Sequence, residues 1–201
     1  VASRTIMDLN RKEQRLKEEM AGLGSLLIAY SGGVDSSLLA ALAREILGDR
    51  CRAVLLESPV VPRAAVRKAR ETAATLGIPL EVIPVPLMDE EAFTRNLKDR
   101  CYRCKEISAR ILKARARELG LSSVADGSNA SDLGEHRPGI RAGREERILH
   151  PFLDAGITNG DIRALARRRG HGFWNRPSAA CLASRIPYGE AITADRLRRI
   201  E

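Results

Sequence analysis

The sequence predicts an α/β fold, a doubly wound parallel sheet with helices on both faces. Short apolar runs alternate with helix-periodic segments in a βαβαβαβ order. The first apolar run also ends in a Ser-Gly-Gly turn that opens directly into a helix. Sheets of this kind bind ligands at the carboxyl ends of their strands.

Residues 3–22 place Ile6, Leu9, Leu16 and Met20 at helical intervals and stop at Gly22 and Gly24. SLLIAY (25–30) reads as a buried strand, SGGVDSS as its turn, and the Leu38, Leu39, Leu42, Ile46 stripe as a helix ending at Gly48. CRAVLLE (51–57) is a second strand, RAAVRKARETAATLG a second helix, and PLEVIPV (79–85) a third strand whose far end Pro84 weakens. CYRCKEISARILKARARELG follows as a long helix, SSVADGSN as a fourth strand running into a polar loop, and RILHPFLD as a short extended piece. TNGDIRALARRRG is a helix with Thr158 as its cap. From about residue 175 periodicity fades: NRPSAACLASRIPYGEAIT is irregular, and TADRLRRIE reads as the first turns of a helix. The expected division is a main domain over 1–175 and a cysteine-bearing loop opening a C-terminal part over 176–201.

With 201 residues and 44% hydrophobic content, the chain can bury a core of its own. No run of about 18 apolar residues occurs, and the N-terminal stretch is charged and amphipathic, so no membrane span is expected and the cytoplasm is the expected location. Four cysteines, two of them in a C-x-x-C, do not form a secreted disulfide framework. The net charge of +8 invites a nucleic-acid reading. Against it, the basic residues are dispersed along helix faces and aromatic content is only 3%, which leaves few stacking platforms. An anionic small molecule suits this surface better.

The SGGVDSS turn carries the first chemistry. A glycine turn between strand and helix aims backbone N–H groups and a positive helix end at an anion, which makes a phosphate cradle. Hydroxyls of Ser31, Ser36 and Ser37 add hydrogen bonds, and Asp35 suits a magnesium ion. No GxxxxGK[ST] is present, so no lysine of that motif reaches the outer phosphates. The heptad resembles the PP-loop of the ATP pyrophosphatases, which split ATP between the α- and β-phosphates and join AMP to an oxygen of the acceptor. By that resemblance Ser31, Gly32, Gly33, Asp35 and Ser36 hold the pyrophosphate end, and the fold is of the adenine nucleotide alpha hydrolase type.

Three further blocks, RCYRCK (100–105), ADGSNASDLGEHRPG (125–139) and PSAACLASRIPYGE (177–190), together resemble the LarE family. Its members are ATP-dependent sulfur insertases that make the nickel-pincer cofactor of lactate racemase. The resemblance implies adenylation of a carboxylate on pyridinium-3,5-biscarboxylic acid mononucleotide, then sulfur attack to give a thiocarboxylate, in a homo-oligomer. In one branch the cysteine matching Cys181 gives up its own sulfur. The C-x-x-C resembles the other branch, in which Cys101, Cys104 and Cys181 hold a 4Fe-4S cluster with one iron free for a further sulfide. A redox dithiol, or a zinc site completed by His136, His150 or His171, stays open as an alternative. Cys51 starts a buried strand and is expected to pack as a small hydrophobe. The sulfur donor is not indicated, and a PP-loop tRNA thiolase is the rival enzyme reading.

Other residues follow from position. Asp126 and Asn129, after the fourth strand, face the nucleotide end of the sheet as metal-holding or nucleotide-contacting groups, and Asp132 is similar. Ser58, past the second strand, is a candidate contact for adenine or ribose. Arg137 and Arg185 suit a phosphate or carboxylate. Ser184 and Arg185, beside Cys181, join Asp35 as candidate catalytic groups. Trp174 and Tyr188 flank the cysteine loop, and Glu190 either binds metal or faces water.

Overall fold

The computed structural model describes residues 2–134 and 138–201, so His136 and Arg137 lie outside the described residues. In chain order the helices are α1 (Ala2–Ala21), α2 (Val34–Leu47), α3 (Arg63–Thr75), α4 (Glu91–Thr94), α5 (Arg100–Glu118), α6 (Pro138–Glu145), α7 (Pro151–Asp154), α8 (Asn159–Arg168) and α9 (Ala194–Ile200). The strands are β1 (Leu26–Ala29), β2 (Cys51–Glu57), β3 (Leu80–Pro84) and β4 (Ser123–Ala125). All pair in parallel, in the order β3-β2-β1-β4. Pro84 stands on the edge strand, where a residue without an N–H is tolerated.

Each residue of β1 is apolar, so both faces of the sheet need cover. Strand side chains alternate, and the layers follow from that period. Leu26 and Ile28 pack with Leu16 and Met20 of α1, Leu38 and Leu42 of α2, Ala69 of α3, and Ile162 and Leu165 of α8. Leu27, Val54 and Val124 point the other way, against Ala109, Leu112 and Ala116 of α5. Burying each large aliphatic side chain contributes about 1.5–3 kcal/mol. Helices therefore cover both faces. Cys51 is fully buried in the first of these clusters, and burial pushes its thiol pKa up to about 11.

Thr158 caps α8 as the sequence predicts. Its hydroxyl accepts from Asp161 N–H at 3.2 Å, and the Asp161 carboxylate accepts from Thr158 N–H at 3.0 Å, a reciprocal capping box. By contrast, α2 begins at Gly33 without a side-chain cap. Its first-turn amides are left for something else.

Two segments differ from expectation. RILHPFLD contributes only one parallel bridge, Leu149 to Ala125, before Pro151 starts α7, since proline at the first helical position ends the extended run. The helix α6 was not anticipated. Gly139 and Gly143 depress its propensity, yet a Cβ on Gly143 would lie 3.0 Å from His150 Cε1, so the ring needs the glycine.

The irregular C-terminal stretch is packed rather than loose. Leu182, Ala183, Ile186, Ile192 and Leu197 join Val60, Val85, Leu87 and Phe93 in a third apolar cluster past the strand ends. Among the described residues no helix is long and apolar enough to cross a membrane.

The Ser-Gly-Gly turn supplies a stability test. Gly32 has φ +75°, and a Cβ there would sit 2.4 Å from Ala69 Cβ, whereas one on Gly33 (φ −70°) would meet nothing closer than Ser31 Oγ at 3.4 Å. Gly32→Ala is expected to cost about 2–4 kcal/mol in urea unfolding, from left-handed strain plus overpacking. Gly33→Ala should unfold within about 1 kcal/mol of the parent.

Candidate active site

The chain leaves β1 toward β2 and β3, then crosses back through α5 to place β4 on the other side of β1. That reversal opens a crevice at the carboxyl ends of β1 and β4, where such sheets receive ligands. A cavity of about 590 Å³ lies there. Tyr30, Ser31, Asp35 and Ser36 line it from the first turn, and Lys105, Asp126 and Asn129 from α5 and the β4 loop.

The turn is held by its own hydroxyls. Ser36 Oγ accepts from Ser31 N–H at 3.2 Å and lies 3.0 Å from Ser31 Oγ. Ser37 is turned inward, its hydroxyl 3.1 Å from the buried Tyr30 hydroxyl. Gly32 acts by close approach to α3 rather than by lining the cavity. A second glycine closes the crevice: a Cβ on Gly127 would stand 2.9 Å from Ser36 N, so the β4 loop touches the first turn of α2. Behind the turn, Arg176 donates through Nη1 to Thr72 Oγ1 at 3.0 Å and to Gly32 O at 3.4 Å. Arg163 staples that arginine by donating to the carbonyls of Trp174 and Arg176 at 2.9 and 3.1 Å.

Asp126 is the most constrained charge in the cavity. It is 5% exposed, and its two oxygens are used separately. Oδ1 lies 2.7 Å from His150 Nδ1 and accepts the Ser128 N–H at 3.0 Å, while Oδ2 takes the Lys105 ammonium. Burial pushes the carboxyl up, but His150 and Lys105 outweigh it and hold the carboxyl well below the usual range. His150 Nε2 is buried and makes no hydrogen bond among the described residues. Asn129, 2% exposed, donates to Asp35 Oδ2 at 3.3 Å, and its own N–H goes to Asp132 at 2.9 Å.

A second cavity of about 310 Å³ lies beside the turn and has Ser31, Asp35 and Ser36 in common with the first among its lining residues. Cys181 stands on its far wall with Ser178 and Arg176. Cys181 and Cys101 lie close enough to Cys104 to perturb it. Burial first, then the charges of Cys181 and Cys101, push the Cys104 thiol up to about 11. Partial desolvation by the surrounding chain raises Cys181, although its surface stays open to solvent, against the pull of the Ala183 amide and of the Arg100 cation. Cys101 and Cys181 are exposed. Among the described residues no three His, Cys, Asp or Glu side chains converge on a single metal ion. His150 is engaged with Asp126, and His171 stacks on Phe173 with ring centroids 5.0 Å apart.

Several residues singled out from sequence lie off both cavity walls. Ser58 closes a turn through its carbonyl, which accepts from Val61 N–H at 2.9 Å. Ser184 Oγ donates to the Cys181 carbonyl at 2.6 Å, and Arg185 donates to Ile200 O at 3.2 Å. Trp174 packs against the main core with Arg167 over its ring at 5.0 Å, and Glu190 pairs with Arg196 at 3.1 Å. Lys105, Gly127 and Arg176 went unread, and His150 was read only as an alternative zinc ligand. Lys105 directly follows the C-x-x-C, the one signal that points to it.

The NAD synthase family model matches residues 9–134, from α1 through the β4 loop. An uncharacterised protein of Synechocystis, slr1717, is 36% identical over 96% of this chain and 72% of its own length. Pyridinium-3,5-bisthiocarboxylic acid mononucleotide synthase of Lactiplantibacillus plantarum is 28% identical over 96% of this chain and 70% of its own. Among solved structures, NMN synthetase from Francisella tularensis superposes with TM-score 0.69 at 18% identity, covering 96% of this chain and 91% of that one. A turn that offers uncapped helix amides at the switch point of a parallel sheet, matched over most of the chain, places the protein in the NAD synthase family of PP-loop ATP pyrophosphatases.

Proposed function

We propose that the chain is an ATP-dependent sulfur insertase acting on a carboxylate of pyridinium-3,5-biscarboxylic acid mononucleotide. The observation that carries this reading is the shared wall: the turn that suits a pyrophosphate and Cys181 line the same second cavity, which has Ser31, Asp35 and Ser36 in common with the first. The similarity to the Lactiplantibacillus synthase supports it. A carboxylate resists a sulfur nucleophile because it is already anionic. Its oxygen attacks the α-phosphorus of ATP, the bond to the β-phosphate breaks and pyrophosphate leaves. The sulfur nucleophile then adds to the acyl carbon, and AMP departs as the leaving group.

This chain's residues divide that work. Ser31, Ser36 and the first-turn amides of α2 receive the departing phosphates. Lys105 stands where charge develops on the α-phosphate, oriented by Asp126 and, through it, by His150. Asp35 and Asp132 offer carboxylates to Mg²⁺, which takes only one or two from a protein and completes its shell with phosphates and water. Cys101, Cys104 and Cys181 suit a 4Fe-4S cluster by donor chemistry, and a cluster spreads its thiolates over several irons, unlike a single ion. When bound, such a cluster would supply an exchangeable sulfide as the nucleophile.

Pyrophosphate release from ATP should depend on the pyridinium dicarboxylate acceptor, and its product should show one oxygen replaced by sulfur in mass spectrometry. Release that ignores every such acceptor refutes the reading. Lys105→Ala should lower kcat/KM for pyrophosphate release about 100-fold or more, the loss typical of one positioned donor to a developing charge.

The sulfur route separates by two measurements. Anaerobic reconstitution with iron and sulfide should give a brown protein with broad visible absorption, lost in Cys104→Ser. Intact mass should stay constant through turnover, whereas loss of hydrogen sulfide from Cys181 would mean sacrifice of that residue.

Asp126 makes a pH prediction. Its folded pKa is depressed, so its contribution is complete above the unfolded value and is lost as pH falls below about 4. Asp126→Asn should cost about 3 kcal/mol or more at pH 7, and the gap in urea midpoint should narrow below that pH.

A further inference from the structure

The Arg100 guanidinium is 5% exposed, and among the described residues no carboxylate pairs with it. Its partners are neutral. Nη1 donates to Asn96 Oδ1 at 2.5 Å and to the Ala183 carbonyl at 2.9 Å, Nη2 reaches Cys101 Sγ at 3.9 Å, and the group lies 5.0 Å from the Tyr188 ring centroid. The preceding carboxylate, Asp99, is turned to Arg103 at 3.1 Å. Removing a cation from water without a counter-charge is expensive.

The neighbourhood adds to the positive potential. Arg100 is the first residue of the 19-residue α5, so Cys101 sits in the positive N-terminal turn of a long helix. Asn96 fixes the arrangement. It is fully buried at φ +54°, and its Nδ2 donates to the carbonyls of Pro187 and Glu190, both at 2.8 Å. The cysteine loop is thereby clasped over α5, and Arg100 also acts on Cys181 as a cation.

We propose that Arg100 forms an anion site between Cys101 and Cys181, built for a small, singly charged sulfur species. This rests on the sulfur-insertase reading and names the form in which sulfur is received. The guanidinium is weakly hydrated and suits a large soft anion. Because Nη1 is occupied by Asn96 and Ala183 and Nη2 faces Cys101, the end-on fork that grips a carboxylate is already taken.

The test needs neither ATP nor acceptor, so its failure is separable from failure of the catalytic reading. Cys101 and Cys181 are labelled with anionic 2-sulfonatoethyl methanethiosulfonate and with cationic 2-(trimethylammonio)ethyl methanethiosulfonate, and the rates are mapped by peptide mass spectrometry. Work in 0.5 M salt screens the general positive field of the surface. The ratio of anionic to cationic rates cancels any change in thiol ionisation. Arg100→Met should lower that ratio about tenfold, a modest share of the Coulomb energy available at such distances, and Arg100→Lys should retain most of it.

Asn96→Ala loosens the same clasp without removing the charge and should change both rates alike. Thiocyanate should protect the two thiols in the parent at lower concentration than acetate. An unchanged ratio in Arg100→Met makes the arginine a brace and overturns the proposal, as does better protection by acetate.

Discussion

One buried carboxylate ties the active end of the molecule together. Asp126 closes β4, and its two oxygens reach Lys105 on α5 and His150 ahead of α7. A charge taken out of water holds its place only when its partners are fixed. Three segments distant in sequence are thereby brought into register at the mouth of the sheet. Gly143 leaves room for the His150 ring, and Gly127 lets the loop after Asp126 lie against α2. Small residues and one buried ion pair together define the crevice floor.

The layers were legible because they depend on local period. The strand run Cys51–Glu57 and the apolar stripe of α2 are each explained by burial. Thr158 and Asp161, three residues apart, announce their cap for the same reason. The turn at Ser31 was legible because glycine and hydroxyl chemistry is written in consecutive residues. Elements shorter than two helical turns, such as α4 and α7, carry no period to read.

The cavity walls were only partly legible. Ser31, Asp35, Ser36, Asp126 and Asn129 line the crevice, and the loop chemistry after strands pointed to them. Lys105 looks like any surface lysine in a charged helix until β4 brings Asp126 beside it, 21 positions on. Arg100 and Asn96 are equally silent, since their partners lie some 90 residues away in an irregular stretch. Ser184 and Arg185 show the converse: a polar side chain near a motif in sequence bonds a backbone carbonyl instead.

Cys104 and Lys105 are neighbours on α5, one against the third apolar cluster near the other thiols, the other at the strand-end crevice. Successive residues on an α-helix diverge by about 100° with a rise of about 1.5 Å. The rotational phase of a single helix thus sets how Lys105 and the Cys104 thiol are disposed around one axis. On the proposed sulfur-insertase reading, an acceptor that meets both has to reach around that helix, so its length matters before any contact to its ring or sugar is made.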